Sequence, residues 1–177
     1  MKTSITFAFL LLLAAESHVQ KVNGLVVGCE GLNGRTPLIT AVKNNDLNCV
    51  RRLLNSGVDA NYQENRGGWT ALIYAASFGY VEVAKLLLPM SDAKLTNLGY
   101  NSPLMLAATY GKDKMVELLL PFSNVKAKSR KGQTALDMAI EIFNRPQACC
   151  KKEYKKVIDR IRQFKIASEG WLTFVHT

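Results

Sequence analysis

Histidine is nearly absent from this sequence: His18 and His176, near opposite ends of 177 residues, are all it has. Histidine-based catalytic triads and multi-histidine metal sites therefore have almost nothing to be built from. Cysteine is scarce too. Cys29, Cys49, Cys149 and Cys150 show none of the C-x-x-C spacing of a zinc site, two of them are adjacent, and reduced, mostly buried thiols are expected. Lys151 and Lys152 would lower a thiol pKa at Cys149 or Cys150, but no histidine lies close in sequence to serve as base. Dinucleotide, phosphate-loop, nucleophile-elbow, zinc-protease and calcium-loop spacings are missing as well. These absences point away from an enzyme, and no cofactor or metal is expected. Nor is a transmembrane segment, because the longest apolar run, Ile5 to Ala15, is too short to cross a bilayer.

Acidic residues are also in short supply, 14 against 23 Lys and Arg, for a formal charge of +9. That balance suggests an anionic partner such as nucleic acid or a membrane surface. Its distribution changes the picture. Residues 1–125 carry 11 basic and 9 acidic side chains, whereas 126–165 carry 12 and 4. The excess therefore sits in the C-terminal part. What remains is an ordinary globular composition, 48% apolar and 21% charged, at a length suited to one domain.

The organising feature is a repeat. Four stretches align on a Thr or Ser followed two residues later by Leu, beginning at Thr36, Thr70, Ser102 and Thr134, with spacings of 34, 32 and 32 residues. A period near 33 indicates a stacked solenoid. The hydroxyl at each register position suits a helix N-cap, and Pro37 and Pro103 follow where the missing N–H costs least. Apolar or small residues recur at offsets two, five and six: Leu38, Ala41, Val42; Leu72, Ala75, Ala76; Leu104, Ala107, Ala108; Leu136, Ala139, Ile140. Such a stripe buries one face of a helix, and its alanines imply close helix contact. Gly79 and Gly111 at offset nine, with Asn45 in the first copy, suit a left-handed residue that closes this short helix. A second helix then carries Val50, Leu53, Leu54; Ala84, Leu87, Leu88; and Val116, Leu119, Leu120 at offsets 14, 17 and 18. Pro89 and Pro121 stop two of these helices, and Asn55 to Gly57 the other.

In its TPL or TAL start, AA pair, glycine at offset nine, V-x-x-LL run and Gly57-Val58-Asp59-Ala60-Asn61 segment, the chain resembles the ankyrin-repeat family. The resemblance covers about residues 33–144. It implies an all-α solenoid of stacked helix-turn-helix pairs joined by β-turn or hairpin loops, with repeats at about 33–65, 66–97, 98–129 and 130–165, the last a C-terminal cap. Departures are visible. The family's histidine after TPL is replaced by Ile39, Ile73, Met105 and Asp137, so its usual hydrogen bonding between repeats is absent and adhesion is expected to rest more on packing. The turn glycine of the third copy is displaced by one, to Gly99, before Tyr100 and Asn101.

Residues 1–32 fit two descriptions. Lys2, the apolar run and the small Ala15 and Ser17 suit a secretory signal cleaved after Ser17, whereas Leu11, Ala14, Ala15, Val19, Val22, Leu25 and Val26 suit a degenerate first repeat. The second description goes with a cytoplasmic protein, the first with a secreted one. At the other end, Tyr154, Val157, Ile158, Ile161 and Phe164 form an apolar stripe in a basic helix, expected to act as the cap, followed by a tail at 166–177 whose Trp171, Leu172, Phe174 and Val175 have no assigned place.

Stacking occupies the core offsets, so function falls to the positions it leaves free. The resemblance implies a protein partner held by turn tips and first-helix faces. Carried onto this chain, these are Arg35, Trp69 and Gln133 before the register residue, Tyr100 and Asn101 in the irregular copy, and Lys43, Asn44, Ser77, Phe78, Thr109, Tyr110, Glu141 and Ile142 on the first helices. Trp69, Phe78, Tyr100 and Tyr110 give that surface the composition favoured at binding hot spots, on a face expected to be nearly neutral. The alternative partner is nucleic acid or acidic lipid, on Lys126, Lys128, Arg130, Lys131 and the basic residues of 151–165.

Overall fold

The computed structural model describes Cys29 and residues 36–145 and 150–174. Residues 1–28 and Arg35, with the choice between a signal and a first repeat, lie outside the described residues, as do Cys149 and the last three positions.

Each register residue starts a helix as its chemistry requires. Thr36, Thr70, Ser102 and Thr134 adopt extended backbone, and each side-chain oxygen accepts a hydrogen bond from the N–H three residues on, at 3.2–3.3 Å. The first helices that follow are α1 (Pro37–Lys43), α3 (Ala71–Phe78), α5 (Pro103–Thr109) and α7 (Ala135–Phe143). The chain reverses through left-handed Asn45, Gly79 and Gly111 into second helices α2 (Leu47–Asn55), α4 (Val81–Leu87) and α6 (Asp113–Leu119). Proline does not end α4 and α6 abruptly; Leu88–Met90 and Leu120–Phe122 tighten into a 3₁₀ turn containing it. The last second helix, α8 (Lys151–Phe174), continues past Lys165 to Phe174, into the segment left unassigned at the C-terminus.

First helices pack in sequence, α1 on α3, α3 on α5, α5 on α7, and second helices pack behind them as α2, α4, α6 and α8. The core runs between the two layers. Ala75, Ala76, Ala107, Ala108 and Ala139 are fully buried, so the alanine column sets the close approach of the first helices. Val157, Ile158 and Ile161 bury α8 against α6 and α7, with Phe164 half-buried beside them, and the Tyr154 hydroxyl donates to the Thr109 carbonyl at 2.8 Å. Arg160 reaches Glu117 at 2.9 Å, pinning the cap to α6.

One expectation is corrected and one is refined. Cys29 and Cys49 are a disulfide, with Cα atoms 5.6 Å apart, rather than reduced thiols. Both are buried in the core, where proximity across a 20-residue separation brings them together. Adhesion between repeats also does not rest on packing alone. Leu98 N–H donates to the Gly67 carbonyl at 2.8 Å and Arg130 N–H to the Gly99 carbonyl at 3.0 Å, equivalent bonds linking successive turn tips. Gln63 Nε2 adds a bond to the Thr96 carbonyl at 2.8 Å. These bonds tie the second tip to the third and the third to the fourth.

At the start of α7 the cap is reciprocal: Asp137 Oδ2 accepts from the Thr134 N–H at 2.9 Å and the Thr134 hydroxyl at 2.8 Å. The Thr134 backbone N–H, and next its hydroxyl, hold the Asp137 carboxyl below the usual aspartate range. A depressed folded-state pKa contributes stability that is full above the unfolded aspartate value and disappears as pH falls through the folded one. Asp137→Ala is therefore expected to lose about 0.5–1 kcal/mol at neutral pH, modest because the carboxyl is exposed. Chemical denaturation of both proteins should show the gap closing as pH drops below about 4; a gap independent of pH would mean the carboxylate is not the capping species.

Candidate interaction surface

The exposed positions of the first helices and the tips of the preceding turns share one face. Phe78, Tyr110 and Tyr100 stand out on it, 42%, 51% and 56% exposed despite their apolar rings. Leu98, at a tip, is 64% exposed. Beneath Phe78 runs a chain of rings: Trp69 lies 4.8 Å from Tyr74 between centroids, Tyr74 6.3 Å from Phe78, and Phe78 5.3 Å from Tyr80. Lys43 Nζ sits 5.0 Å over the Tyr74 ring, and the Tyr74 hydroxyl donates to the buried Glu64 carboxylate.

The expected site residues divide into those that are free and those used by the fold. Asn44 is exposed, and Lys43 half-buried against Tyr74. Trp69 is half-buried on the core, so its ring supports the turn. Ser77 is buried, contrary to the exposed position expected of it, and its hydroxyl donates to the Tyr74 carbonyl at 2.9 Å. Thr109, half-buried, spends its hydroxyl on the Met105 carbonyl at 2.8 Å. Asn101 closes its own tip, donating its N–H to Asn97 Oδ1 at 3.0 Å while its carbonyl accepts from the Asn97 N–H at 3.1 Å. Gln133 Nε2 donates to Glu141 at 2.7 Å, and Arg145 donates to the same carboxylate at 2.8 Å. These bonds, Arg145's first, hold the Glu141 carboxyl below its usual range.

Tyr100 carries the unusual geometry. Its φ is +57°, and the residues two before the register position in the neighbouring copies are left-handed glycines, Gly68 at +69° and Gly132 at +74°. The displaced glycine therefore does not abolish the third tip. Gly99 provides the carbonyl for the tip-to-tip bond, and a tyrosine takes the conformation its neighbours reserve for glycine, at a cost of roughly 1–2 kcal/mol. Its ring is covered by the Arg130 guanidinium, 5.6 Å from the centroid.

Between the third and fourth repeats the face deepens into a cleft of about 380 Å³, floored by Leu106, Met138 and Ile142 and bordered by Arg130, Lys131 and Arg145. Sequence reasoning placed Arg130 and Lys131 in a solvated basic region and expected a nearly neutral face; the turn carries both to its edge, so the face is cationic at this end. Leu106 and Met138 were missed too. Their signal is offset four, a column of Thr40, Tyr74, Leu106 and Met138 lying outside the stripe at offsets two, five and six.

The helix pairs, tips and register now on the page have known counterparts. Family models of ankyrin repeats match residues 8–98, as three copies, and residues 99–130. The chain belongs to the ankyrin-repeat family. Among curated relatives, human 2-5A-dependent ribonuclease is 43% identical over 51 residues, 29% of this chain and 7% of its own length. Rat ankyrin repeat and SAM domain-containing protein 6 is 38% identical over 72 residues, 41% of this chain and 7% of its own. The chicken nuclear factor NF-kappa-B p105 subunit is 36% identical over 87 residues, 49% and 8% respectively. This chain thus matches less than a tenth of the length of each of these larger proteins. Ankyrin repeats generally serve as protein-interaction modules rather than catalysts. Among the described residues no helix is long and apolar enough to cross a membrane.

Proposed function

We infer that this ankyrin-repeat protein is a non-enzymatic adaptor or scaffold module that captures a protein partner on the face built from its turn tips and first helices. The observation that carries this reading is Tyr100, an exposed aromatic ring in a left-handed conformation that glycine would adopt without cost. Strain that folding does not require, at an exposed position, is a mark of a binding surface. Phe78 and Tyr110 extend the same surface, and the stacked repeats hold it preformed, so binding loses little entropy to ordering. The family match beginning at residue 8 supports counting residues 1–32 as a degenerate first repeat, with units at 33–65, 66–97, 98–129 and 130–165 after it. The Cys29–Cys49 pairing supports a second reading of its compartment, oxidising rather than cytoplasmic.

A triple variant, Phe78→Ala, Tyr100→Gly and Tyr110→Ala, tests the face. Glycine at 100 relieves about 1–2 kcal/mol of backbone strain, against about 0.5–1 kcal/mol of extra unfolded-state entropy and about 0.5 kcal/mol for the exposed cation–π contact. Tyr100→Gly alone should therefore melt within a degree or two of wild type. In pull-downs from cell extract the triple variant is expected to lose at least nine-tenths of the captured partner with its helical signal intact. Retention of the partner on a folded triple variant would refute this face as the binding surface, and a large fall in melting temperature for Tyr100→Gly would assign Tyr100 to folding instead.

A further inference from the structure

The cleft between the third and fourth repeats has a composition that selects among protein partners. Its floor is apolar, from Leu106, Met138 and Ile142, and its volume of about 380 Å³ lies at the small end of ligand pockets, room for one or two side chains. Its lining includes one carboxylate, Glu141, already bonded to Arg145 and Gln133. Arg130 and Lys131, exposed at the mouth, bond through no such carboxylate, and Arg66 stands four residues before the register position, as Arg130 does. In the copy between them Leu98 holds that place, so the positive charge is concentrated at the cleft end of the face, where the acidic group nearest the cleft is occupied. Resting on the interaction reading above, we propose that the cleft receives an extended, acidic segment of the partner, which seats an apolar side chain on Leu106, Met138 and Ile142 and sets Asp or Glu residues against Arg130 and Lys131.

The same side chains argue against the two polyanions. A phosphate would meet Arg130 and Lys131 but leave the apolar floor of Leu106, Met138 and Ile142 uncovered, and the cleft's neutral donors are committed: Gln133 Nε2 to Glu141, the Thr109 hydroxyl to the Met105 carbonyl, the Asn101 N–H to Asn97. A nucleic-acid base needs an open aromatic face to stack on, and none of the residues lining the cleft is aromatic. An acidic peptide needs neither. Its carboxylates meet the cations at the mouth, where opposite potentials speed encounter and reject basic competitors.

A random 12-residue peptide library displayed on phage and selected on the full chain tests this. Enriched peptides should be net negative, with an apolar residue flanked by Asp or Glu. A synthetic peptide from that pool should bind about tenfold more weakly to Arg130→Glu/Lys131→Glu, and several-fold more weakly to wild type when salt is raised from 50 to 300 mM. Arg130→Gln/Lys131→Gln should fall between, with melting temperatures showing that both variants fold. Enrichment of neutral or basic peptides would overturn the acidic specificity, as would no enrichment at all. Either result leaves the interaction reading standing if the Phe78, Tyr100 and Tyr110 changes still release the captured partner. Binding of duplex DNA or of phosphatidylserine vesicles as tight as that of the peptide, with the same loss on charge reversal, would overturn it in favour of a general anion surface.

Discussion

Replacing Leu104 by alanine is expected to remove about 2–5 kcal/mol of stability, the range for truncating a fully buried leucine. Leu104 has no exposed surface and sits on α5, flanked by α3 on one side and α7 on the other, with α6 behind. The void cannot be filled cheaply. The neighbours along its stripe, Ala107 and Ala108, have no rotamers to offer, and capped helix starts at Thr70, Ser102 and Thr134 fix the adjoining helices. At about 2–4 °C per kcal/mol for a chain of this size, the melting temperature should fall by roughly 5–15 °C. Leu136 holds the equivalent position in the fourth repeat, which among the described residues has a first helix packed on one side only, and is only half-buried. Leu136→Ala should cost about half as much. Urea denaturation of both variants decides the matter: equal losses would mean that stacking on both sides does not set the value of this position.

That comparison shows which features the sequence makes legible. Offsets two, five and six are buried in the copies beginning at Thr36, Thr70 and Ser102, and their register residues cap as expected, because capping and helical periodicity are local properties that one strand of text contains. The fourth repeat keeps the same letters, yet Leu136 and Ile140 are half-buried, since burial depends on a neighbour that the letters do not mention. The surface was less readable for the same reason. Ser77 and Phe78 are adjacent and equally plausible as contacts, but a turn of helix buries one and exposes the other. Trp69 reads as an exposed anchor until Tyr74 is seen against its ring. Arg130 and Lys131 look like solvated turn residues until a hairpin delivers them to an apolar cleft, four and three residues before the register position of α7. Tyr100 was legible from the displaced glycine beside it, because a tyrosine in the column of Gly68 and Gly132 signals either a broken turn or a strained one, and only the structure decides for strain.

The second large effect is expected at the N-terminal edge. Reducing the Cys29–Cys49 disulfide, whose ends are 20 residues apart, should cost about 3 kcal/mol by restoring loop entropy to the unfolded chain. At about 2–4 °C per kcal/mol, that corresponds to a fall of roughly 6–12 °C in melting temperature. The position of the link makes the loss matter beyond its entropy. Cys49 lies on α2, packed on the core, and Cys29 lies seven residues before the Thr36 cap, so the bond fastens the approach to the first helix pair onto the second helix of that pair. Cys49→Ser should reproduce the destabilisation and make the protein indifferent to dithiothreitol, whereas wild type should respond to it. Peptide mapping without reductant should recover the fragments containing Cys29 and Cys49 joined together. Separate fragments, or a wild-type melting temperature unmoved by reductant, would mean the two thiols are not paired in solution. The serine variant's own loss would then reflect only the burial of a hydroxyl where a sulfur had packed, about 1–3 kcal/mol. Only the response to reductant separates the two causes, because a packing defect is the same in either redox state.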